Sequence, residues 1–165
     1  MELNQDQLGL NQSQSEVEAL SYILFTMGNE TFGFPLENVL EIVKPMPITK
    51  VPKSPEYVEG VINLRGNILA ILQIRKMFGL PSIQLTEDSR FIVLKINGFE
   101  AGIVVDGVSE VAKIAPSSIK TAPPVVAGLD GSNLAGIAQE GERLLLLLDL
   151  PTIFAQWIQP VTSEA

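Results

Sequence analysis

The chain contains no cysteine and no histidine. Without cysteine there is no disulfide, no thiolate nucleophile and no thiolate metal cage, and the lack of bridges fits a reducing compartment. Without histidine the commonest general base, the commonest metal ligand and any histidine phosphoacceptor are gone. Basic residues are few and scattered: 11 Lys and Arg stand against 19 Asp and Glu, a formal net charge of -8. Binding to a phosphate backbone normally needs a concentrated basic face, so no nucleic-acid partner is expected. Long hydrophobic runs are also missing. The longest wholly aliphatic one, Leu144 to Leu148, is far short of the roughly 20 residues of a membrane helix, so no membrane insertion is expected. The N-terminus carries Glu2 and Asp6 and lacks the basic-then-apolar order of a signal peptide.

What the chain does have is aliphatic material cut into short pieces. Hydrophobic residues make up 46% of 165, enough for a domain or two interlocked small lobes burying about 70% of the unfolded surface. Residues 1–19, rich in Asn, Gln and Ser, read as a mobile tail, and 157–165 read as a second one. Between them the runs alternate with turn residues. "LSYILFTM" and "TFGFPL" flank Gly28-Asn29-Glu30; "GVINL" and "ILAILQI" flank Arg65-Gly66-Asn67; "RFIVLKI" and "FEAGIVV" flank Asn97-Gly98. The last is a strong hairpin signal, because Asn-Gly accepts positive φ at both central positions. "NLAGIAQ" and "RLLLLLDL" form a fourth pair.

"ENVLEIVK" predicts a strand, and "PMPITKVPKSP" cannot be a helix interior. "PEYVEG" predicts one helical turn starting at Pro55, "RKMFGLP" a short helix closed by Gly79, and "LPTIFAQW" a terminal helix. The stretch 115–132 reads as loop. About ten short strands with minor helices argue for all-β barrels or sandwiches. Alternation is poor in "GVINL", "ILAILQI" and "LLLLL", as in strands buried on both faces. Two small barrels packed on each other would produce that, with the polar loop 82–89 as the boundary between them.

Chemistry is hard to place on these residues. No Ser sits in a nucleophile elbow, and "GLDGSNLAG" is not followed by a helix that could cradle a phosphate. "GIVVD" ends at Asp106 like a phosphoacceptor strand, but the surrounding pattern lacks alternating strands and helices; Asp106-Gly107 reads as a turn. No catalytic residue, metal site or cofactor is expected.

The sharpest oddity is a permanent cation, Arg65, between two greasy strands. It is either a turn residue that happens to be basic or a placed contact. The run "VEGVINLRGNILAILQIRKMFG" resembles the signature hairpin of the CheW family of bacterial chemotaxis coupling proteins. "YILFTMGNETFGFPLENVLEIV", "AGIVVDGVSEVAKI" and "LAGIAQEGERLLLLLDL" resemble further family segments, in family order over residues 20–156. The resemblance implies two five-stranded SH3-like β-barrel lobes around a shared hydrophobic core, and no catalysis. It implies a complete stand-alone signalling adaptor, monomeric alone. Its partners would be the regulatory domain of a CheA-type histidine kinase and the chemoreceptor signalling tip, in the cytoplasm at receptor arrays on the inner membrane.

It assigns partner contact to Arg65, to its acidic counterpart Glu41, to Val39 and Ile42 beside it, and to Val108 and Val111 of the second lobe. Gly60 is expected to set backbone geometry near the arginine. Val39, Ile42, Val108 and Val111 also suit core packing. Gln73 stands where the family often has Asp, and Val43-Lys44-Pro45 where it often has Arg-Gly. The pathway served (flagellar, pilus or phototactic) is left open. The alternative from a different class is a small-ligand-binding barrel, which requires an enclosed pocket with converging polar groups.

Overall fold

The structure, a computed structural model, describes residues 19–157; the expected tails 1–19 and 157–165, all but Ala19 and Trp157, lie outside them. Hairpin β1 (Leu20–Met27) and β2 (Glu30–Pro35) comes first, then a 3-10 turn and β3 (Val39–Val43). Hairpin β4 (Val58–Leu64) and β5 (Asn67–Leu72) leads into the one-turn helix α1 (Ile74–Met77). Hairpin β6 (Arg90–Ile96) and β7 (Phe99–Val105) follows, then β8 (Gly107–Ile114). The pieces β9 (Val125–Val126) and β10 (Leu129–Asp130) precede hairpin β11 (Leu134–Glu140) and β12 (Arg143–Leu148), and helix α2 (Leu150–Trp157) closes the described chain.

These strands form two five-stranded sheets, ordered β3-β6-β7-β5-β4 and β11-β12-β2-β1-β8, the two lobes that the pattern of short strands implied. Aliphatic side chains explain both the lobes and their union. On β1, Tyr22 and Leu24 point into the second lobe's own interior, while Ile23, Phe25 and Met27 point the other way into a core shared with the first lobe. On β12, Leu145 and Leu147 fill the second lobe and Leu146 and Leu148 the shared core. On β6, Phe91 and Val93 fill the first lobe, and Ile92 and Leu94 join the shared core. A strand apolar on both faces has no polar beat, which is why alternation is absent.

Three expectations need correcting. The loop 82–89 does not separate the lobes along the chain. It joins α1 to β6 within one sheet; the chain crosses between sheets after β2 and again at Asp106. Hydrophobic runs cannot report this, because both sheets use the same kind of strand. "PEYVEG" makes a tight turn, with Val58 N–H donating to the Pro55 carbonyl at 3.0 Å, and enters β4 instead of a helix. The stretch 115–132 holds the β9–β10 ladder and a Lys120–Ile137 bridge, so it is paired with the sheet despite its Pro and Gly.

Candidate functional site

β3 and β4 are opposite ends of the first sheet, and Arg65, just past β4, reaches across to Glu41 on β3. Nη1 donates to Oε2 at 2.9 Å and Nη2 to Oε1 at 2.6 Å, a two-pronged contact that closes the lobe into a barrel. Backbone pairing supports the same seam: Thr49 and Val61 exchange two N–H···O bonds at 2.8 Å.

The hairpin tip decides between the two readings of Arg65. Leu64 pairs with Asn67, leaving Arg65-Gly66 as the two-residue turn, with φ of 52° and 90°. Positive φ at both positions belongs to a type I′ turn, where Asn, Asp and Gly are the usual residues. The β6–β7 tip obeys the rule with Asn97 at 50° and Gly98 at 85°. Arg65 breaks it, at a cost of about 1 kcal/mol for a non-glycine in the left-handed region. The Arg65 and Glu41 side chains are 67% and 34% exposed, and an ion pair of that kind returns only about 0–1 kcal/mol. Turn chemistry and stability together therefore leave the arginine unexplained.

Both members of the pair have exposed aliphatic residues close to them in the chain. A register irregularity between Val39 and Glu41 makes Leu40 the extra residue of β3. Val39 packs against the shared core, while Leu40 and Ile42 are exposed, as is Ile68 just past the arginine turn. Ile42 is thus exposed while Val39 is the packed neighbour. Leu40 and Ile68 were missed by the sequence reading, because neither a bulge nor the outward side of a strand shows in a continuous aliphatic run. Val108 is half-buried against the shared core and Val111 is exposed on β8, an edge strand. Gly60 is buried with φ 147°, and a Cβ there would lie 2.3 Å from the Thr49 carbonyl oxygen. It holds the seam behind the arginine and presents nothing to a partner.

A second group of residues ties the lobes together. Arg75, buried on α1, binds Asp106 with Nη2–Oδ2 at 2.5 Å and Nε–Oδ1 at 3.2 Å, and also donates to the Pro81 carbonyl at 2.6 Å. Asp106 Oδ2 accepts the Gly28 N–H at 2.8 Å, and its own N–H donates to Thr26 at 3.0 Å. The expected Asp106-Gly107 turn is therefore a crossover in which one carboxylate holds α1 of one lobe and the β1–β2 turn of the other. Gln73 caps α1 by accepting the Arg75 N–H at 3.4 Å.

Two open clefts line this junction. One of about 510 Å³ is bordered by Thr26, Asp88, Arg90, Asp106 and Val108. Another lies between Lys44-Pro45 and the 85–90 segment. Thr86 and Arg90 border both, so the cleft at the exit of β3 and the cleft at the start of β8 are neighbours that share part of the 82–90 segment. Among the described residues no three carboxylates converge as metal ligands. On the second lobe, Arg143 donates to Glu110 at 2.9 Å and also pairs with Glu140, and these hydrogen bonds raise its pKa further above the usual guanidinium range.

Residues 21–156 match the profile of the CheW-like domain. A chemotaxis protein CheW of Helicobacter pylori is 37% identical over 146 residues, covering 88% of this chain and 87% of its own length. One from Klebsiella aerogenes is 34% identical over 140 residues, covering 85% and 84%. The crystal structure of the scaffolding protein TtCheW from Thermoanaerobacter tengcongensis superposes with a TM-score of 0.74 at 36% identity, over 80% of this chain and 85% of that one.

Proposed function

The chain belongs to the CheW-like domain family, and from that premise we propose that it is a non-enzymatic adaptor. It couples a chemoreceptor of the methyl-accepting type to the regulatory domain of a CheA-type histidine kinase, in the cytoplasm beneath receptor arrays. The observation that carries the reading is Arg65. A guanidinium held in an unfavourable turn conformation and gripped by Glu41, with exposed Leu40 and Ile42 on the strand of Glu41 and exposed Ile68 close after the turn, is suited to a protein face. Arginine is among the residues most enriched at interface hot spots. A fixed two-pronged pair presents it at little further entropic cost on binding.

Glu41 orients Arg65, Gly60 and the 48–49 segment set the height of the hairpin, and Ile42 with Leu40 supplies the apolar rim. Val108 and Val111 extend the surface onto the second lobe. The neighbouring clefts beside Lys44-Pro45 and Asp106–Ser109, lined by charged and polar side chains with Ile83, Leu85 and Val108 among them, suit an amphipathic helical face such as a receptor tip. No helix among the described residues is long and apolar enough to cross a membrane, so attachment to the array goes through partners. The small-ligand reading has little support: Leu, Ile and Phe side chains fill both lobe interiors, and the clefts at the junction are open.

The test is a calorimetric titration of the chain with the kinase regulatory domain and, separately, with a receptor-tip fragment of the same organism. The adaptor reading requires saturable binding to both and a ternary complex when all three are mixed. Absence of binding to either contradicts it.

A further inference from the structure

The two lobes follow one plan, so the junctions between them can be compared position by position. Leu24 faces Gly33 in the second sheet as Val93 faces Gly102 in the first. Leu134 faces Leu148 as Val58 faces Leu72. Counting on from these pairs sets "PLEN" (35–38) against "VVDG" (104–107), so Glu37 is the counterpart of Asp106. It also sets "LDLPTIF" (148–154) against "LQIRKMF" (72–78), so Pro151 is the counterpart of Arg75. Hydrogen bonds support the second match. Gln73 N–H donates to the Tyr57 carbonyl at 2.7 Å and Asp149 N–H to the Asn133 carbonyl at 2.9 Å, and both side chains cap the helix that follows. The clefts match as well: Arg90 and Asp106 border the one of about 510 Å³, and Ser21 and Glu37 border another of about 280 Å³.

The two junctions differ in what crosses them. At one, the Arg75 guanidinium grips both oxygens of Asp106, at 2.5 and 3.2 Å, and Asp106 also accepts the Gly28 N–H of the other lobe at 2.8 Å. Arg75 is buried. At the other, the same two positions hold Pro151 and Glu37, which cannot form an ion pair. Among the described residues no cation holds Glu37. An exposed bond from Asn38 Nδ2 to the Lys95 carbonyl runs there at 3.4 Å, beside the apolar packing of Leu36. Gln156 also links the lobes, bonding Asn133 at 3.0 Å and Tyr57 at 3.4 Å, through neutral hydrogen bonds.

These contacts resist movement unequally. A buried guanidinium that slides off its carboxylate is left unpaired and poorly solvated, so a two-pronged pair holds its two elements in one geometry. Apolar side chains keep most of their contact through a small slide, which is how packed layers shear. We propose that the Arg75–Asp106 pair is a hinge pin: the lobes pivot about it, and the Glu37 junction is the side that opens and closes. The cleft beside Asp106 keeps its width, whereas the cleft of Leu20, Ser21, Pro35, Leu36 and Glu37 does not. A partner that touches both lobes away from the pin therefore selects among lobe angles. The pivot is a property of the chain alone, and its absence would leave the adaptor reading in place.

The chain has no native cysteine, so cysteines introduced at exposed sites carry the only spin labels. Asn29→Cys with Lys44→Cys spans the Asp106 junction, and Lys95→Cys with Lys113→Cys spans the Glu37 junction. Double electron–electron resonance gives the spread of each distance, and spectra of singly labelled chains correct for label mobility. In the otherwise wild-type chain the spread across the Glu37 junction should exceed that across the Asp106 junction by about 2 Å or more. Arg75→Met with Asp106→Asn removes the pin without leaving a buried charge unpaired. In that chain, checked by a thermal melt, the spread across the Asp106 junction should rise by a similar amount. Equal spreads in the wild-type chain, whether both narrow or both broad, overturn the pivot. So does a spread across the Asp106 junction that stays narrow in the folded double variant, because the pair is then not what holds that side. Should the double variant not fold, the two wild-type spreads decide alone.

Discussion

At Gly60 the geometry admits no side chain. Its φ of 147° and the Thr49 oxygen 2.3 Å from a would-be Cβ combine backbone strain with a clash against main chain. Gly60→Ala should cost about 3 kcal/mol in urea unfolding, and any loss of partner binding should disappear once the folded fraction is allowed for. A stable Gly60→Ala chain would mean that the seam yields. Tyr22 carries a different signal. Burial, helped by the Glu37 charge, raises its pKa. A folded-state pKa above the unfolded value of about 10 leaves stability unchanged below that pH and lowers it as pH rises through the folded pKa. Between pH 8 and 11 the urea midpoint should fall less for Tyr22→Phe than for the wild-type chain; equal falls would show that the phenol is not the group concerned.

Individual strands show how far a sequence can be read. The hairpins were legible because Asn97-Gly98 and Gly28-Asn29 are turn chemistry written in residue types. The run Leu144 to Leu148 was legible as a doubly buried strand, yet only its last four residues are buried and Leu144 is exposed. Leu146→Ala should therefore cost about 3 kcal/mol and Leu144→Ala less than about 1, measured by chemical denaturation; equal costs would contradict the burial pattern of β12. Arg65 and Glu41 could each be singled out, but their meeting could not. It depends on the first sheet curling until its end strands touch, and a separation of 24 positions along the chain says nothing of that. The Arg75–Asp106 pair was unreadable for the same reason, being set by a crossover between sheets.

For the molecule as a whole, that crossover fixes how the lobes sit. Asp106→Asn leaves a buried guanidinium without its charge partner, which typically costs about 3–5 kcal/mol. Adding Arg75→Met should recover part of the loss, since a buried pair removed together costs less than either half removed alone. Urea denaturation of the two single variants and the double checks this; strict additivity would mean that the two side chains do not stabilise each other. Asp106 also borders the cleft at the start of β8, so the same variants should weaken a ligand touching both lobes more than one touching the Arg65 face alone.

That Arg65 serves a partner and not the fold is the proposal most open to direct measurement. The measurement closest to it is a titration of the kinase regulatory domain and the receptor-tip fragment with the wild-type chain and Arg65→Asn, each melted alongside. Asparagine suits the left-handed turn, so losing the exposed ion pair and relieving the backbone should leave stability within about 1 kcal/mol of wild type. An unchanged melt is expected, together with affinity for at least one partner reduced about tenfold or more. Unchanged affinity for both partners at an unchanged melt would contradict it and return Arg65 to a hairpin-tip residue.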